Sequence, residues 1–242
     1  MSTIVISTHE WDAERLSYFE VAPDHGGVEP ECIVLMHGGG RGDSKEPSLA
    51  LAEDLAAHGY RVLGFDFMGS GQSSGEWSEL TLDRRRDQAA SLIESCLPER
   101  SPLVLVGFSM SGQTAADLVS LFGERVTRLV LCAPGIYSPT LRDVPFGDES
   151  FKGLVFDKPE LWPDSPALDV LATFEGRILR VLPERDEEVP PGMADLIDKT
   201  LAANPAAVTL LLEGAGHLLD LWLAQHPRDR QAVISGLRDP LP

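Results

Sequence analysis

The chain has 242 residues, 43% hydrophobic and 24% charged, which suits one α/β domain over residues 1–242 and is short for two. Its net charge of −18 repels phosphate backbones and anionic lipid surfaces, so we expect no nucleic-acid or membrane partner. No apolar run reaches membrane-spanning length and the first residues lack a secretion signal, so a cytoplasmic protein is expected. These observations leave the oligomeric state open.

Two short strand-like runs come first, at residues 4–7 and 16–21, and they leave no room for a helix between them. An antiparallel hairpin is therefore predicted. Nearly continuous apolar runs follow, and such runs are typical of parallel strands buried on both faces. They lie at residues 33–36, 62–67, 103–106, 129–132, 178–182 and 208–212. Helix-like segments stopped by Gly or Pro lie between them, at 49–58, 80–97 and 113–122.

This alternation predicts an α/β fold with a mostly parallel central sheet, an antiparallel N-terminal edge and helices on both faces. Residues 134–174 interrupt the alternation, and we interpret them as a small cap inserted after the sixth strand. The aromatic residues of this segment either line an apolar pocket or pack the cap against the domain. They are Tyr137, Phe146, Phe151, Phe156 and Trp162.

A short run of small residues, 107–112, stands between a predicted strand and a predicted helix. A serine on such a tight turn projects its hydroxyl above the sheet edge, and the helix N-terminus behind it supplies N–H groups and a positive dipole end. Ser109 is therefore the candidate nucleophile. The alternative interpretation is an ordinary turn serine.

Other candidates follow further apolar runs, because ligands of open α/β sheets bind beyond the carboxyl ends of the strands. A serine nucleophile needs a base and a carboxylate that orients the base. His217 is the candidate base and Asp186 the candidate acid, and the chain order Ser, Asp, His is the order expected on this kind of sheet. Alternatives stay open: Glu184, Glu187 or Asp195 as the acid, and His226 as the base.

The oxyanion of an acyl-transfer reaction needs preorganised N–H donors. The backbone amide of Met110, directly after the nucleophile, is one expected donor. Gly39 is the other, although which of the glycine amides at 38–40 points inward stays open. We interpret His37 as bracing this loop and Asp66 as anchoring a turn. No side-chain cluster has metal-ligand spacing, and no metal site is expected.

Together these residues resemble the α/β-hydrolase superfamily. The resemblance covers most of the chain and rests on His37-Gly38-Gly39-Gly40, Asp66-Phe67-Met68-Gly69-Ser70-Gly71-Gln72-Ser73, Gly107-Phe108-Ser109-Met110-Ser111, Asp186-Glu187-Glu188-Val189-Pro190 and Gly216-His217. The segment 66–75 is similar to small carboxylesterases of the cinnamoyl or feruloyl type with a short lid. Two departures are Ser111 in place of the elbow glycine and Pro183 where a glycine usually stands.

The resemblance implies hydrolysis of a carboxylic ester or thioester through an acyl-enzyme, without a cofactor. The expected substrate is a small molecule with an apolar acyl group. Two alternatives stay open. One is an acyltransferase or cyclase that uses the same triad, and the other is a non-catalytic ligand-binding protein with this fold.

Overall fold

The computed structural model describes residues 3–23 and 31–238, so parts of the predicted 1–242 domain, including Met1 and Ser2, lie outside the described residues. The strands of this part of the chain are β1 Thr3–Trp11, β2 Glu14–Ala22, β3 Cys32–Met36, β4 Arg61–Phe65, β5 Leu103–Phe108, β6 Val126–Cys132, β7 Arg177–Arg185 and β8 Ala207–Gly216. They form a single sheet in the order β1-β2-β4-β3-β5-β6-β7-β8.

The α-helices of the described residues are α1 Leu49–Ala57, α2 Leu82–Cys96, α3 Ser111–Phe122, α4 Glu149–Phe156, α5 Pro166–Thr173, α6 Pro191–Ala202, α7 Leu219–Gln225 and α8 Pro227–Arg238. Short 3₁₀ helices occupy Glu46–Ser48, Trp77–Glu79, Gly123–Arg125, Pro139–Leu141 and Pro159–Asp164. Within the described ranges, none of these helices combines the length and the apolar character that a bilayer crossing requires.

The sheet is mixed at its N-terminal edge, as predicted. Strand β1 pairs antiparallel with β2, and β2 pairs antiparallel with β4. All other neighbouring strands are parallel. Every residue of β3 and β5 is buried, because helices cover both faces of the sheet at its centre.

The two faces carry different sets of helices. Helices α1, α7 and α8 cover one face, where Leu55, Leu219 and Ile234 are buried. Helices α2, α3 and α6 cover the other face together with the segment 134–174. The predicted α/β architecture is confirmed, and the carboxyl ends of β3, β5, β7 and β8 carry the candidate site residues along one edge.

Two predicted helices begin at different residues in the structure. Helix α2 begins at Leu82 instead of residue 80, because the hydroxyl of Thr81 accepts a hydrogen bond from the Arg84 amide (3.1 Å) and caps the first turn. Helix α3 begins at Ser111, two residues earlier than predicted, because the turn that carries Ser109 leads directly into it.

Strand β4 ends at Phe65, whereas the apolar run predicted a strand through residue 67. The chain leaves the sheet after Phe65 because the next two residues, Asp66 and Phe67, form hydrogen bonds with residues outside the neighbouring strands. The carboxylate of Asp66 accepts a hydrogen bond from the Lys45 amide (2.7 Å), and the amide of Phe67 donates to His37 Nε2 (3.1 Å).

Helix α6 has no counterpart among the predicted helices. Its buried residues Met193, Ile197 and Leu201 have helical spacing, but the helix begins among prolines and acidic residues that mask the pattern. Pro191 occupies the first helical position, where its missing N–H costs no hydrogen bond.

The cap segment, residues 134–174, lies between β6 and β7 as predicted and contains α4 and α5. Arg142 joins it to two neighbouring helices through ion pairs with Asp83 of α2 (2.8 Å) and Asp117 of α3 (3.0 Å). The amide of Phe146 donates to the carbonyl of Leu80 (2.9 Å). These contacts fix the cap segment above α2 and α3.

We predict that Gly64→Ala destabilises the protein by about 1 to 3 kcal/mol, because overpacking a filled core forces its neighbours to shift. A Cβ at position 64 would overlap the ring of Phe19, which is fully buried. Gly42→Ala is the matched control, since no atom lies within 4 Å of the corresponding Cβ position. Urea denaturation of both variants measures the difference, and equal stabilities would contradict the packing argument.

Candidate active site

Ser109 lies on a strained turn between β5 and α3, with a φ of 51°. Its amide donates to the Cys132 carbonyl (2.8 Å), and its carbonyl accepts from the Gly135 amide (3.0 Å). A Cβ at Gly107 would overlap the carbonyl oxygen of Ser111, so this position requires glycine. The tight turn predicted from the sequence is therefore present, and backbone hydrogen bonds on both sides hold its strain.

The structure brings the three predicted side chains together. His217 Nε2 lies 2.9 Å from Ser109 Oγ, and His217 Nδ1 lies 3.0 Å from each carboxylate oxygen of Asp186. A ring nitrogen that faces a carboxylate is the donor, so Nδ1 carries the proton and Nε2 is free to accept the serine proton.

Asp186 is held as a carboxylate in this arrangement. Its Oδ1 accepts hydrogen bonds from the amides of Glu188 (2.9 Å) and Val189 (3.1 Å). Partial burial acts to raise the pKa of Asp186, but the hydrogen bonds from His217 and the two amides outweigh it and leave the pKa below its ordinary value. Asp186 is therefore ionised at neutral pH.

An irregularity at the ends of β7 and β8 sets Asp186 beside His217. The strand register shifts between Pro183 and Arg185, and Arg185 lies opposite Gly216. Across the irregularity, Glu184 Oε2 accepts a hydrogen bond from the Gly214 amide (2.7 Å). Pro183 has no N–H to donate, which suits a position where the ladder is interrupted.

The structure does not place the alternative residues at the nucleophile. The side chain of Glu184 is engaged with β8, and Glu187 and Asp195 are exposed without a hydrogen bond or ion pair among the described residues. The ring of His226 stacks on Trp222 with a centroid distance of 3.6 Å, and its Nδ1 lies 2.8 Å from the Trp222 carbonyl oxygen.

The loop of residues 37–40, here called the oxyanion loop, lies against the nucleophile turn. The amide of Gly40 donates to Asp43 Oδ2 (2.8 Å), which removes it from the candidate oxyanion donors. The amides of Gly38, Gly39 and Met110 have no acceptor among the described residues. Gly39 and Met110, the two predicted donors, are thus available.

Side chains fix the orientation of this loop. His37 Nε2 accepts from the Phe67 amide, so His37 Nδ1 carries the proton and donates to the Gly38 carbonyl (2.9 Å). Trp77 Nε1 donates to the Gly39 carbonyl (3.0 Å). Burial, and then the nearby Arg85 guanidinium, lower the pKa of His37 to about 3, so the ring is neutral. This geometry agrees with the interpretation of His37 as a brace.

Asp66 is fully buried and anchors the adjoining turn. Its carboxylate accepts hydrogen bonds from Lys45 Nζ (2.5 Å) and from the amides of Lys45 (2.7 Å) and Gln72 (2.9 Å). The charge of Lys45, which is also buried, is therefore neutralised by Asp66.

A cavity of about 270 Å³ opens beside Ser109 and His217. Its apolar lining comes from the nucleophile turn, the cap segment, the chain before and within α6, and the start of α7: Phe108, Met110, Tyr137, Val155, Phe156, Val189, Met193, Leu218 and Leu219. Three carboxylate residues also line it: Asp43, Glu188 and Asp220. Of the cap aromatics, Tyr137 and Phe156 line the cavity, whereas the rings of Phe146 and Phe151 pack together at 4.8 Å.

Sequence reasoning missed Asp43, Asp220 and Arg85. No pattern distinguished the two aspartates in a chain with 38 acidic residues. Arg85 did carry a signal, because it stands at core-facing spacing between Leu82 and Ala89 of α2. Its place in a run of three arginines obscured this spacing.

No group of three or more His, Cys, Asp or Glu side chains in residues 3–23 and 31–238 is placed to hold a metal ion. The cysteines Cys32 and Cys132 are buried, and burial raises the pKa of both thiols.

The family model described as alpha/beta hydrolase fold matches residues 31–232. The chain belongs to this family. This α/β hydrolase is 31% identical over 123 residues to the 2-hydroxy-6-oxo-6-(2'-aminophenyl)hexa-2,4-dienoic acid hydrolase of Metapseudomonas resinovorans. The match covers 48% of this chain and 42% of that protein, so the chain spans less than half the length of this curated relative.

Solved structures resemble the α/β hydrolase over nearly its whole length. The thioesterase domain from the curacin biosynthetic pathway has a TM-score of 0.71 at 16% identity and covers 96% of this chain and 99% of its own. Est1E from Butyrivibrio proteoclasticus, with ferulic acid bound, has a TM-score of 0.65 at 15% identity and covers 93% of this chain and 99% of its own. Both likenesses show the fold, and the predicted superfamily resemblance is confirmed.

The neutral, buried His37 predicts a loss of stability at acidic pH. Between the folded pKa of about 3 and the ordinary value of 6.5, the unfolded state binds a proton that the folded state does not, so stability falls as the pH falls. From pH 6.5 to about 5.0 this linkage costs about 2 kcal/mol, and His37→Gln removes it. Urea denaturation at both pH values measures the effect, and identical pH slopes for the two proteins would contradict it.

Proposed function

We propose that this α/β hydrolase is a serine hydrolase that cleaves a carboxylic ester or thioester through an acyl-enzyme intermediate. The observation that carries the proposal is the continuous hydrogen-bonded line from Ser109 Oγ through His217 (2.9 Å) to the Asp186 carboxylate (3.0 Å). This arrangement supplies a nucleophile, a base and a charge that orients the base.

In the proposed reaction, Ser109 Oγ attacks the substrate carbonyl carbon while His217 Nε2 takes the serine proton. The carbonyl oxygen becomes an oxyanion that accepts hydrogen bonds from the amides of Gly39 and Met110. His217 then gives its proton to the leaving alkoxide or thiolate, and the acyl group stays on Ser109. Water deprotonated by His217 attacks the acyl-enzyme and releases the carboxylic acid.

The cavity supports a modest apolar acyl group. Its volume of about 270 Å³ lies below the range of roughly 300–1,000 Å³ found for drug-sized ligands. The aromatic rings of Tyr137 and Phe156 and the side chains of Val155 and Met193 supply apolar contact. A short aliphatic or single-ring acyl group suits this lining.

The charges around the cavity support a neutral or cationic substrate. Asp43, Glu188 and Asp220 border the cavity, and none of the described residues that line it is Lys or Arg. Burial raises the pKa of Asp220, and the Asp43 carboxylate adds to this shift against the hydrogen bond from the Leu221 amide. A substrate carboxylate at this position would meet like charges without a cationic partner.

Ser109→Ala is expected to lower kcat for ester hydrolysis by about three or more powers of ten and leave the fold intact. Intact mass and peptide mapping after a fluorophosphonate pulse should give one adduct, at Ser109. Ser120→Ala, on the helix α3 that follows the nucleophile turn, is the control that keeps the adduct, because the Ser120 hydroxyl donates to the Ala116 carbonyl. Undiminished hydrolysis by Ser109→Ala would refute the assignment.

A pair of esters that differ in the charge of the acyl group tests the substrate class. We expect kcat/KM for a neutral p-nitrophenyl acyl ester to exceed that for its ω-carboxylate analogue by about tenfold or more, because like charges oppose each other in the cavity. Asp220→Asn should bring this ratio of kcat/KM values closer to one, because it removes one of the acidic side chains that line the cavity. A preference for the carboxylate analogue would instead favour an acidic substrate of the kind that the name of the Metapseudomonas relative describes.

Product analysis separates hydrolysis from acyl transfer. With a short alcohol or amine added as a competing nucleophile, we expect the free acid to remain the main product. A dominant transfer product would favour the acyltransferase or cyclase alternative, which uses the same three side chains.

A further inference from the structure

Arg85 is a fully buried cation that the proposed mechanism does not use. It lies on the core-facing side of α2 with an exposed fraction of 0%. No carboxylate of the described residues forms an ion pair with it. Burying an unpaired charge is costly, so the position of Arg85 calls for a compensating role.

The guanidinium instead faces the nucleophile turn and the oxyanion loop. One terminal nitrogen, Nη2, donates to the His37 carbonyl (2.8 Å) and lies 2.7 Å from Ser111 Oγ. Its Cζ lies 3.6 Å from the centroid of the Phe67 ring, a cation–π contact. Burial lowers the pKa of Arg85 to about 9, so the group still carries its charge at neutral pH.

This contact gives Ser111, the residue in place of the elbow glycine, a specific role. Its hydroxyl accepts a hydrogen bond from Arg85 and donates one to the His37 carbonyl (2.6 Å). A glycine at 111 could make neither bond. The hydroxyl therefore joins α2, the first residue of α3 and the end of β3. We call Arg85, Ser111 and the His37 carbonyl the Arg85 clamp.

The clamp fixes the first peptide of the oxyanion loop. The His37 carbonyl shares a planar peptide with the Gly38 amide, so two donors on the oxygen also fix the direction of that N–H. The next two carbonyls, of Gly38 and Gly39, are held by the His37 ring and by Trp77. Without the clamp, the loop would be free to rotate at the peptide where it leaves β3.

The clamp also leaves a positive charge behind the loop. Lys45, a second buried cation near this loop, is paired with Asp66, whereas Arg85 hydrogen-bonds only neutral oxygens. Burial lowers the pKa of Arg85, and Tyr137 and Asp43 oppose this shift without forming an ion pair with it. A charge in a low-dielectric interior acts over a longer distance than one in water. It favours negative charge that develops on the far side of the loop.

We propose that Arg85, acting with Ser111, is a positioning residue that holds the oxyanion loop and favours the oxyanion formed by attack of Ser109. This inference rests on the proposed function. It assigns no contact between Arg85 and the substrate. The effect is expected on the formation of tetrahedral adducts and not on the binding of the ground-state substrate.

The test compares the folded wild-type protein with Arg85→Met, Arg85→Lys and Ser111→Ala. The first readout is the second-order rate of Ser109 modification by a fluorophosphonate, whose phosphoryl oxygen occupies the oxyanion position. The second readout is kcat and KM for a short neutral p-nitrophenyl ester. The third is inhibition by an alkyl trifluoromethyl ketone, to which Ser109 Oγ adds with transfer of its proton to His217 Nε2, leaving a hemiketal oxyanion.

Arg180→Met is the matched control. Arg180 of β7 is also buried, and it pairs with Asp198 of α6 and makes no contact with the oxyanion loop among the described hydrogen bonds and ion pairs. Arg180→Met removes a buried guanidinium and leaves the Arg85 clamp intact, so it measures the effect on activity of losing a buried guanidinium alone. Circular dichroism and thermal unfolding establish that each variant is folded. If Arg85→Met does not fold, Ser111→Ala still tests the role of the Arg85 clamp.

We expect Arg85→Met to lower kcat and the labelling rate by about tenfold to a hundredfold with KM little changed, as for the loss of groups that orient reactive ligands. Trifluoromethyl ketone affinity should fall by a similar factor, whereas inhibition by the carboxylic acid product should not. Arg85→Lys should recover part of the loss by restoring the charge. Ser111→Ala should cost less than Arg85→Met, because Arg85 keeps its bond to His37.

Three outcomes would overturn the role of Arg85: a labelling rate within about twofold of wild type in folded Arg85→Met, an equal kcat loss in Arg180→Met, or a loss confined to KM. Each of these leaves the proposed function standing, since the wild-type protein still reacts at Ser109. Absence of any Ser109 adduct in the wild-type protein would overturn the proposed function and the role of Arg85 together.

Discussion

The positive φ of Ser109 is the constraint on which the rest of the site depends. A left-handed backbone at a non-glycine residue costs about 1 to 2 kcal/mol and persists only where its surroundings hold it. Here the end of β6 accepts the Ser109 amide, and the chain entering the cap segment donates to its carbonyl. The same turn sets the serine hydroxyl toward His217 and starts α3 directly behind it. The strained backbone of Ser109, its nucleophilic hydroxyl and the N-terminus of α3 therefore belong to one local arrangement.

The oxyanion loop depends on that turn through side chains from distant parts of the chain. Arg85, Trp77 and the ring of His37 each bind a different carbonyl of the loop. Fixing three successive carbonyls fixes the peptide planes, so the amides of Gly38 and Gly39 keep their directions. The amide of Gly40 donates to Asp43. The loop is held from behind, and its front remains open to the cavity.

Much of the sheet could be predicted from the sequence, because buried parallel strands are nearly continuous apolar runs and their neighbours are stopped by glycine or proline. The three candidate catalytic residues followed from the same pattern, since each stands just after a predicted strand, and the structure brings Ser109, Asp186 and His217 into hydrogen-bond contact. Element ends were less predictable. The start of α2 depends on the Thr81 cap, and the end of β4 depends on what Asp66 and Phe67 bind elsewhere.

The sequence by itself determined the succession of strands along the chain, the helices between β3 and β6, and which loops reach the carboxyl edge of the sheet, because these follow from local hydrophobic periodicity and turn residues. Only the tertiary structure decided the contacts between residues far apart in the chain. It placed Asp43 and Asp220 at the cavity, chose which glycine amides stay free, and joined Arg85 to Ser111 across 26 positions of sequence. No local pattern encodes such contacts, since they depend on where packing brings separate helices and loops together.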